Sequence, residues 1–188
     1  MNNSIYKPSE DSHLMTNTLK EKLPELLKEN INIKLLEIGA GSGIHLQTAL
    51  GSGVKKENIF ASDINSFSVD HCKLLGFNCI QSDLFKEFNK EKEGKFDLII
   101  FNPPYLPEDK NEPEDSKIAT TGGKKGNEII IRFLEQVKNY ISKNGKIFLI
   151  TSSLAEKVDF NALGYYEKEI QTEKLFFETL YLCEITLK

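Results

Sequence analysis

The residues that invite a chemical reading first are Asn102, Pro103, Pro104 and Tyr105, which end the apolar run FDLIIFNPPYLP. Proline fixes φ and removes a backbone donor, and a residue that precedes proline is driven into extended conformations. Asn102 and Pro103 are therefore held stiffly, with the amide oxygen of one and the carbonyl of the other as outward-facing acceptors. Two fixed acceptors complement a planar N–H group such as an amide or an aromatic amine. Its lone pair is delocalised, so gripping its N–H bonds would orient the nitrogen and favour pyramidalisation before it attacks an electrophile. Tyr105 supplies a flat face for stacking on such a group.

A second set of residues suits a nucleotide-like ligand. The segment LLEIGAGSG puts Gly39, Gly41 and Gly43 where a strand turns into a helix, the place at which backbone approaches a bound nucleotide. Glu37, at the end of that strand, would repel a pyrophosphate but suits an ammonium and a sulfonium. Asp63 lies 22 residues beyond Gly41 at the end of a second strand, where a carboxylate accepts from ribose hydroxyls. Asp83 ends a third and can accept from an adenine amino group, or serve only as a turn residue. Three acidic strand ends and one glycine turn would share the crevice at the carboxyl edge of a parallel sheet.

The elements that must position these residues alternate. Residues 33–39, 58–63, 77–83 and 96–102 read as strands; 42–50 and 66–75 between them have helix length, with Gly51 and Gly76 as stops. That order is the pattern of right-handed βαβ units. An amphipathic segment precedes them at 11–28, with Pro24 expected to bend or interrupt it. A helix is expected over 128–141, ended by Asn144-Gly145, followed by a buried strand at 146–152 and a strand-like tail, LFFETLYLCEITL. Residues 106–127 read as one long polar loop, within which TGGKKGNE is a flexible, substrate-facing helix entry.

Composition narrows the class. A chain of 188 residues, 39% hydrophobic and 28% charged, suits one domain with a sheet covered on both faces. No apolar run is long enough to span a membrane and the N-terminus is polar, so a cytoplasmic protein is expected. Cys72, Cys79 and Cys183 lack paired spacing, and His13, His45 and His71 are scattered, so neither disulfides nor a metal site are expected, and the histidines receive no catalytic role. A net charge of −4 disfavours nonspecific nucleic-acid binding.

Taken together, YKPSEDS, LEIGAGSG, ASDIN, QSDLF, FDLIIFNPPYLP and GGKKGNEIIIRFL resemble the HemK-like glutamine N5-methyltransferases, in particular their short archaeal and eukaryotic branch. The resemblance implies a Rossmann-like class I methyltransferase: an α/β domain with a seven-stranded, mostly parallel sheet in the order 3-2-1-4-5-7-6. By the same resemblance Ser12, Glu37, Gly39, Gly41, Asp63, Asp83, Leu84 and Asn102 would contact S-adenosyl-L-methionine, and Asn102 to Tyr105 would hold the glutamine of a Gly-Gly-Gln loop in a class 1 release factor. The short branch works with a small zinc-binding activator, expected here to extend the sheet at Phe77 to Gln81, a stretch without charge or proline. The chain departs from the family pattern at Thr120-Thr121 and Ile131. Two other readings are an N6-adenine or N2-guanine methyltransferase acting on nucleic acid, and a non-catalytic S-adenosylmethionine-binding scaffold.

Overall fold

A computed structural model describes residues 5–89 and 94–188. Helix α1 (Glu10–Glu29) precedes β1 (Leu35–Ile38), α2 (Ile44–Gly51), β2 (Ile59–Asp63), α3 (Ser66–Leu74), β3 (Asn78–Gln81) and β4 (Phe96–Phe101). There follow β5 (Leu106–Pro107), α4 (Glu114–Thr120), β6 (Thr121–Gly123), α5 (Glu128–Val137), β7 (Ile141–Ser152), β8 (Tyr165–Lys174) and β9 (Thr179–Leu187). Seven strands form one sheet in the order β3-β2-β1-β4-β7-β9-β8, which is the expected 3-2-1-4-5-7-6 once the short β5 and β6 are set aside. The first five strands in that order are parallel, and β9 runs antiparallel to both β7 and β8.

All four residues of β1 are buried, as a central parallel strand covered on both faces requires. On one face Leu14, Met15, Leu19 and Leu23 of α1 pack with Leu46 and Ala49 of α2 and Val69 and Cys72 of α3. On the other face Ile130, Phe133, Leu134 and Val137, recurring at helical spacing in α5, meet Phe85, Phe101 and Tyr140. Phe85 stacks on Tyr140 at 4.5 Å between ring centroids, and Phe101 tilts against Phe133 at 4.8 Å. These two layers fix the strand ends at one edge.

Three expectations are corrected, and one strand was not anticipated. Helix α1 runs unbroken through Pro24, because burial of its apolar stripe holds the turn that the missing N–H would weaken. Helix α5 stops at Val137; Ile141 already pairs with Phe96, and the register then jumps so that Leu98 pairs with Lys146. Asn144-Gly145 therefore sits in an irregularity within β7 rather than at a helix end. The 106–127 segment is structured: β5 and β6 pair in parallel and α4 joins them. Finally, YYEKEIQTEK forms edge strand β8, whose largely exposed, charged sequence carries no apolar alternation.

Candidate active site

The glycine turn is built from left-handed backbone. Gly39, Gly41 and Gly43 have φ of 72°, 50° and 73°, values that favour glycine. At Gly39 and Gly41 an added Cβ would meet nothing closer than 3.6 Å, so conformation rather than crowding demands glycine there. The amides of Gly39 and Ala40 donate to the Ser62 carbonyl at 2.8 and 3.0 Å, tying the turn to β2.

Asp63 closes β2 and is buried. Its Oδ2 accepts from the Gly41 amide at 2.8 Å and its Oδ1 from the Asn65 amide at 2.8 Å. Burial pushes its pKa up, while the backbone donors of Asn65, Gly41 and Ile64 hold it down. A carboxylate has about four acceptor sites, so with three backbone donors in place the group that organises the turn keeps capacity for a further hydroxyl donor.

Glu37 is buried at the end of β1, and its Oε1 lies 2.6 Å from Nδ1 of His45; its Oε2 is buried with no hydrogen-bond partner. His45 Nε2 lies 3.1 Å from the Ser12 carbonyl. With Glu37 ionised, two acceptors on two ring nitrogens call for an imidazolium; burial pushes the Glu37 pKa up, and the charge and hydrogen bond of His45 oppose that rise. Burial pushes the His45 pKa down, but the charge and hydrogen bond of Glu37 and the Ser12 carbonyl outweigh it and hold it above the ordinary value. The sequence reading left His45 without a role. Its signal was its position eight residues beyond Glu37, in the first turn of the helix after the glycines.

Ser12 is buried too, and its amide and hydroxyl both donate to Asp11 Oδ1, at 2.6 and 3.2 Å. Asp11 was not singled out from sequence, yet it joins three segments. The Tyr6 hydroxyl donates to its Oδ2 at 3.2 Å, and the Tyr105 hydroxyl reaches the same oxygen at 3.5 Å. Burial first, and then the Asp11 carboxylate, push both phenols well above their ordinary value.

At the end of β4, the Asn102 Oδ1 is buried with no partner in the protein. Pro103 is buried, whereas Pro104 and Tyr105 are half-buried. The segment TGGKKGNE packs closely against these residues. A Cβ on Gly122 would lie 2.7 Å from the Pro104 carbonyl oxygen, and one on Gly126 would lie 2.4 Å from that of Tyr105. The Gly-Gly-x-x-Gly spacing thus serves close backbone contact.

Asp83, at the end of β3, has one oxygen engaged by α5. Its Oδ1 accepts from the Arg132 guanidinium of α5, in a pair about half exposed on both sides. Leu84, next to it, has φ of +50°, which is uncommon for a residue with a side chain, and its carbonyl accepts from the Ser82 hydroxyl at 2.9 Å. Glu37, Gly39, Gly41, Asp63 and Asn102 thus share the carboxyl edge of the parallel strands, and His45 ties Ser12 to Glu37. A buried carboxylate oxygen without a partner, a second carboxylate with unused acceptor capacity and a left-handed glycine turn fit a ligand with a cationic end and a ribose.

Comparisons with known proteins place the chain among methyltransferases. Residues 76–177 match the model of the Eco57I restriction-modification methylase family. A protein of Methanocaldococcus jannaschii assigned as a protein N5-glutamine methyltransferase is 39% identical over 171 residues, covering 85% of this chain and 78% of its own. Human methyltransferase HEMK2 is 29% identical over 156 residues, 78% of this chain and 71% of its own. Among solved structures, the E. cuniculi Mtq2–Trm112 complex, responsible for methylation of the eRF1 translation termination factor, superposes with a TM-score of 0.65 at 23% identity, covering 98% of this chain and 99% of that one. The sheet order and the superposition give a Rossmann-like fold, and the 39% identical relative makes it that of a class I methyltransferase. The chain belongs to the HemK-like family of protein N5-glutamine methyltransferases, and its β4 and Asn-Pro-Pro-Tyr lie within the segment that the Eco57I model describes. Among the described residues no helix is long and apolar enough to cross a membrane.

Proposed function

We propose that this protein transfers a methyl group from S-adenosyl-L-methionine to the glutamine side-chain nitrogen of a Gly-Gly-Gln loop in a class 1 release factor. The observation that carries the reading is the buried, partnerless Oδ1 of Asn102 at the end of β4. An orphaned buried acceptor is costly unless a ligand supplies the donor. A primary amide has two N–H bonds to offer: Asn102 Oδ1 would accept one and the Pro103 carbonyl the other, with Tyr105 against the amide plane.

When bound, S-adenosylmethionine supplies an electrophilic methyl on a sulfonium. Glu37 would hold its ammonium end and Asp63 its ribose hydroxyls. Gly39 and Gly41 would admit the chain closely, and Ser12, Asp83, Leu84 and Asn102 would complete the contacts. Gripping both N–H bonds aligns the nitrogen lone pair with the methyl carbon. The amide nitrogen would take the methyl as its bond to the sulfonium sulfur breaks, which would leave S-adenosylhomocysteine, and the displaced N–H proton would pass to solvent.

A partner belongs to the same proposal. The 23% identical fold neighbour is solved with Trm112, and here β3 is a sheet edge whose Asn78 and Gln81 are exposed and uncharged. A small zinc-binding activator would add a strand along β3. Ile80→Lys should then lose the complex while the circular dichroism spectrum is kept. An unchanged complex would exclude this edge.

The direct test of the activity is incubation with labelled S-adenosylmethionine and a release factor, alone and with the activator. Label should enter the factor and disappear when its Gly-Gly-Gln glutamine is replaced by asparagine. The Eco57I match favours a second reading, methylation of an exocyclic base amine, because such an amine is as planar as an amide and takes the same two acceptors. The net charge of −4 weighs against it, and label appearing in nucleic acid instead of the factor would establish it.

A further inference from the structure

Phe176 and Phe177 are 91% and 83% exposed, with their rings in edge contact at 4.5 Å between centroids. They sit at the turn between β8 and β9, and the turn is fixed rather than loose. The Leu175 amide donates to the Glu178 carbonyl at 2.8 Å, and the Ser152 hydroxyl donates to the Glu178 carboxylate. The Ser153 amide donates to the Thr179 carbonyl, and the Thr179 amide returns a bond to the Ser153 hydroxyl, both at 2.9 Å. A small domain seldom displays two adjacent phenyl rings on a rigid turn without a use for them.

The turn lies at the catalytic edge. Phe101 of β4 is level with Leu149 of β7, and Leu149 is level with Cys183 of β9. The β9 residues that lead back to the turn, from Leu180, therefore rise past the end of β4 beside Ser152. At about 4.8 Å between neighbouring strands, β9 stands about 10 Å to the side of β4. Glu178 is near enough to Tyr105 for its charge to help raise the phenol's pKa. Leu154, 46% exposed, lies just beyond Ser152, its amide bonded to the Ser152 hydroxyl at 3.0 Å.

We infer that Phe176 and Phe177 form an outer wall of the target face and take the backbone that flanks the methylated glutamine of a protein substrate. This rests on the reading of Asn102 to Tyr105 as the grip on that side chain. A glutamine reaching Asn102 brings its own chain across this rim, and the occupant that meets the rings is then the loop on either side of it. Aromatic side chains on a fixed turn suit that task because little conformational freedom is lost when a loop settles on them. A free small amide would not reach them, so they would select a protein-borne target.

The test is steady-state kinetics of the full chain, with its activator where activity requires one, on an intact release factor. Phe176→Ala/Phe177→Ala should raise KM for the factor about tenfold or more, a hot-spot-sized loss. It should leave kcat within about twofold and cofactor affinity by calorimetry unchanged. Phe177→Trp, which keeps an aromatic face, should stay near wild type. An unchanged KM in a folded double variant, with the wild type active, overturns the inference and leaves the proposed function standing. A wild-type dimer that the double substitution turns into a monomer also overturns it, since a second copy would then be what covers the rings. A wild type that labels no release factor fails the proposed function itself, and this inference falls with it.

Discussion

At the glycine-turn end of the crevice each carboxylate is held by its own chain: Glu37 by His45, Asp63 by the Gly41 and Asn65 amides, Asp83 by Arg132. At the Asn-Pro-Pro-Tyr end the buried Asn102 Oδ1 has no protein partner, and the aromatic rings of the β8–β9 turn, on the same edge of the sheet, stand in solvent. At the first end each acid already has a partner and Glu37 Oε2 stays open, so a charged framework with a place for a cation stands before any ligand arrives, which suits a cofactor of constant shape and charge. The second leaves its acceptor and apolar surface unspent, which suits a target delivered by another macromolecule. Substitutions at the two ends should therefore fail differently, one in binding and the other in turnover.

The largest effect is expected at the unspent end. Asn102→Ala removes an acceptor that matters as the nitrogen pyramidalises, so turnover should fall by about 10²-fold or more, the scale seen when one transition-state hydrogen bond is removed. Asn102 would be one cofactor contact among several, so calorimetry should find S-adenosylmethionine affinity reduced by less than about tenfold. A parallel collapse of cofactor affinity would erase the division of labour between the ends.

Asp63→Ala comes next and should behave in the opposite way. Losing a charged acceptor for ribose hydroxyls costs about 1.5–3 kcal/mol of cofactor affinity, about one to two orders of magnitude in Kd. Because Asp63 also anchors the Gly41 and Asn65 amides, a Kd equal to wild type in a folded variant would reduce it to a turn organiser.

Much of this division was legible in the sequence because strand ends carry their own punctuation. Apolar runs closing on Glu37, Asp63, Asp83 and Asn102 gave both the βαβ order and the edge at which those residues lie. What stayed hidden depends on contacts between distant segments. Asp11 joins Tyr6 to Tyr105, 94 residues further on, and no local pattern marks a residue as a bridge of that kind. His45 received no catalytic role because its partner, Glu37, lies on another element. Gly122 and Gly126 read as flexible because sequence displays their freedom but not the Pro104 and Tyr105 carbonyls against them. Strand β8 was missed for a different reason: an exposed edge strand is written in charges, and it has no buried face to announce it.

The Glu37–His45 pair sharpens the comparison through pH. His45 has a folded pKa above its ordinary value of about 6.5, so its contribution to stability is fully present below that pH and is lost as pH rises through the folded pKa. NMR titration of the imidazole should place His45 above about 6.5, each unit of displacement corresponding to about 1.4 kcal/mol. His45→Gln should abolish that component of the pH dependence of urea unfolding. A His45 that titrates below 6.5 would mean a neutral ring, with the shared proton on Glu37.

The smallest effect is expected at Asp83, which tests whether every acid at the cofactor end is equally committed. Unlike Glu37 and Asp63 it is not buried, and its ion pair with Arg132 is about half exposed on both sides. Solvent screens such a pair, and exposed pairs contribute about 0.2–1 kcal/mol. Asp83→Asn removes the charge yet keeps an oxygen that can accept from an adenine amino group. Stability and cofactor affinity should therefore each change by about 1 kcal/mol or less. Arg132→Gln, which breaks the same ion pair from the α5 side, should change stability by a similar amount and leave affinity alone. If Asp83→Asn instead weakens cofactor binding as much as Asp63→Ala does, the charge itself is used by the ligand. Arg132 would then be the residue that aims Asp83 at it, and the cofactor end would extend to α5.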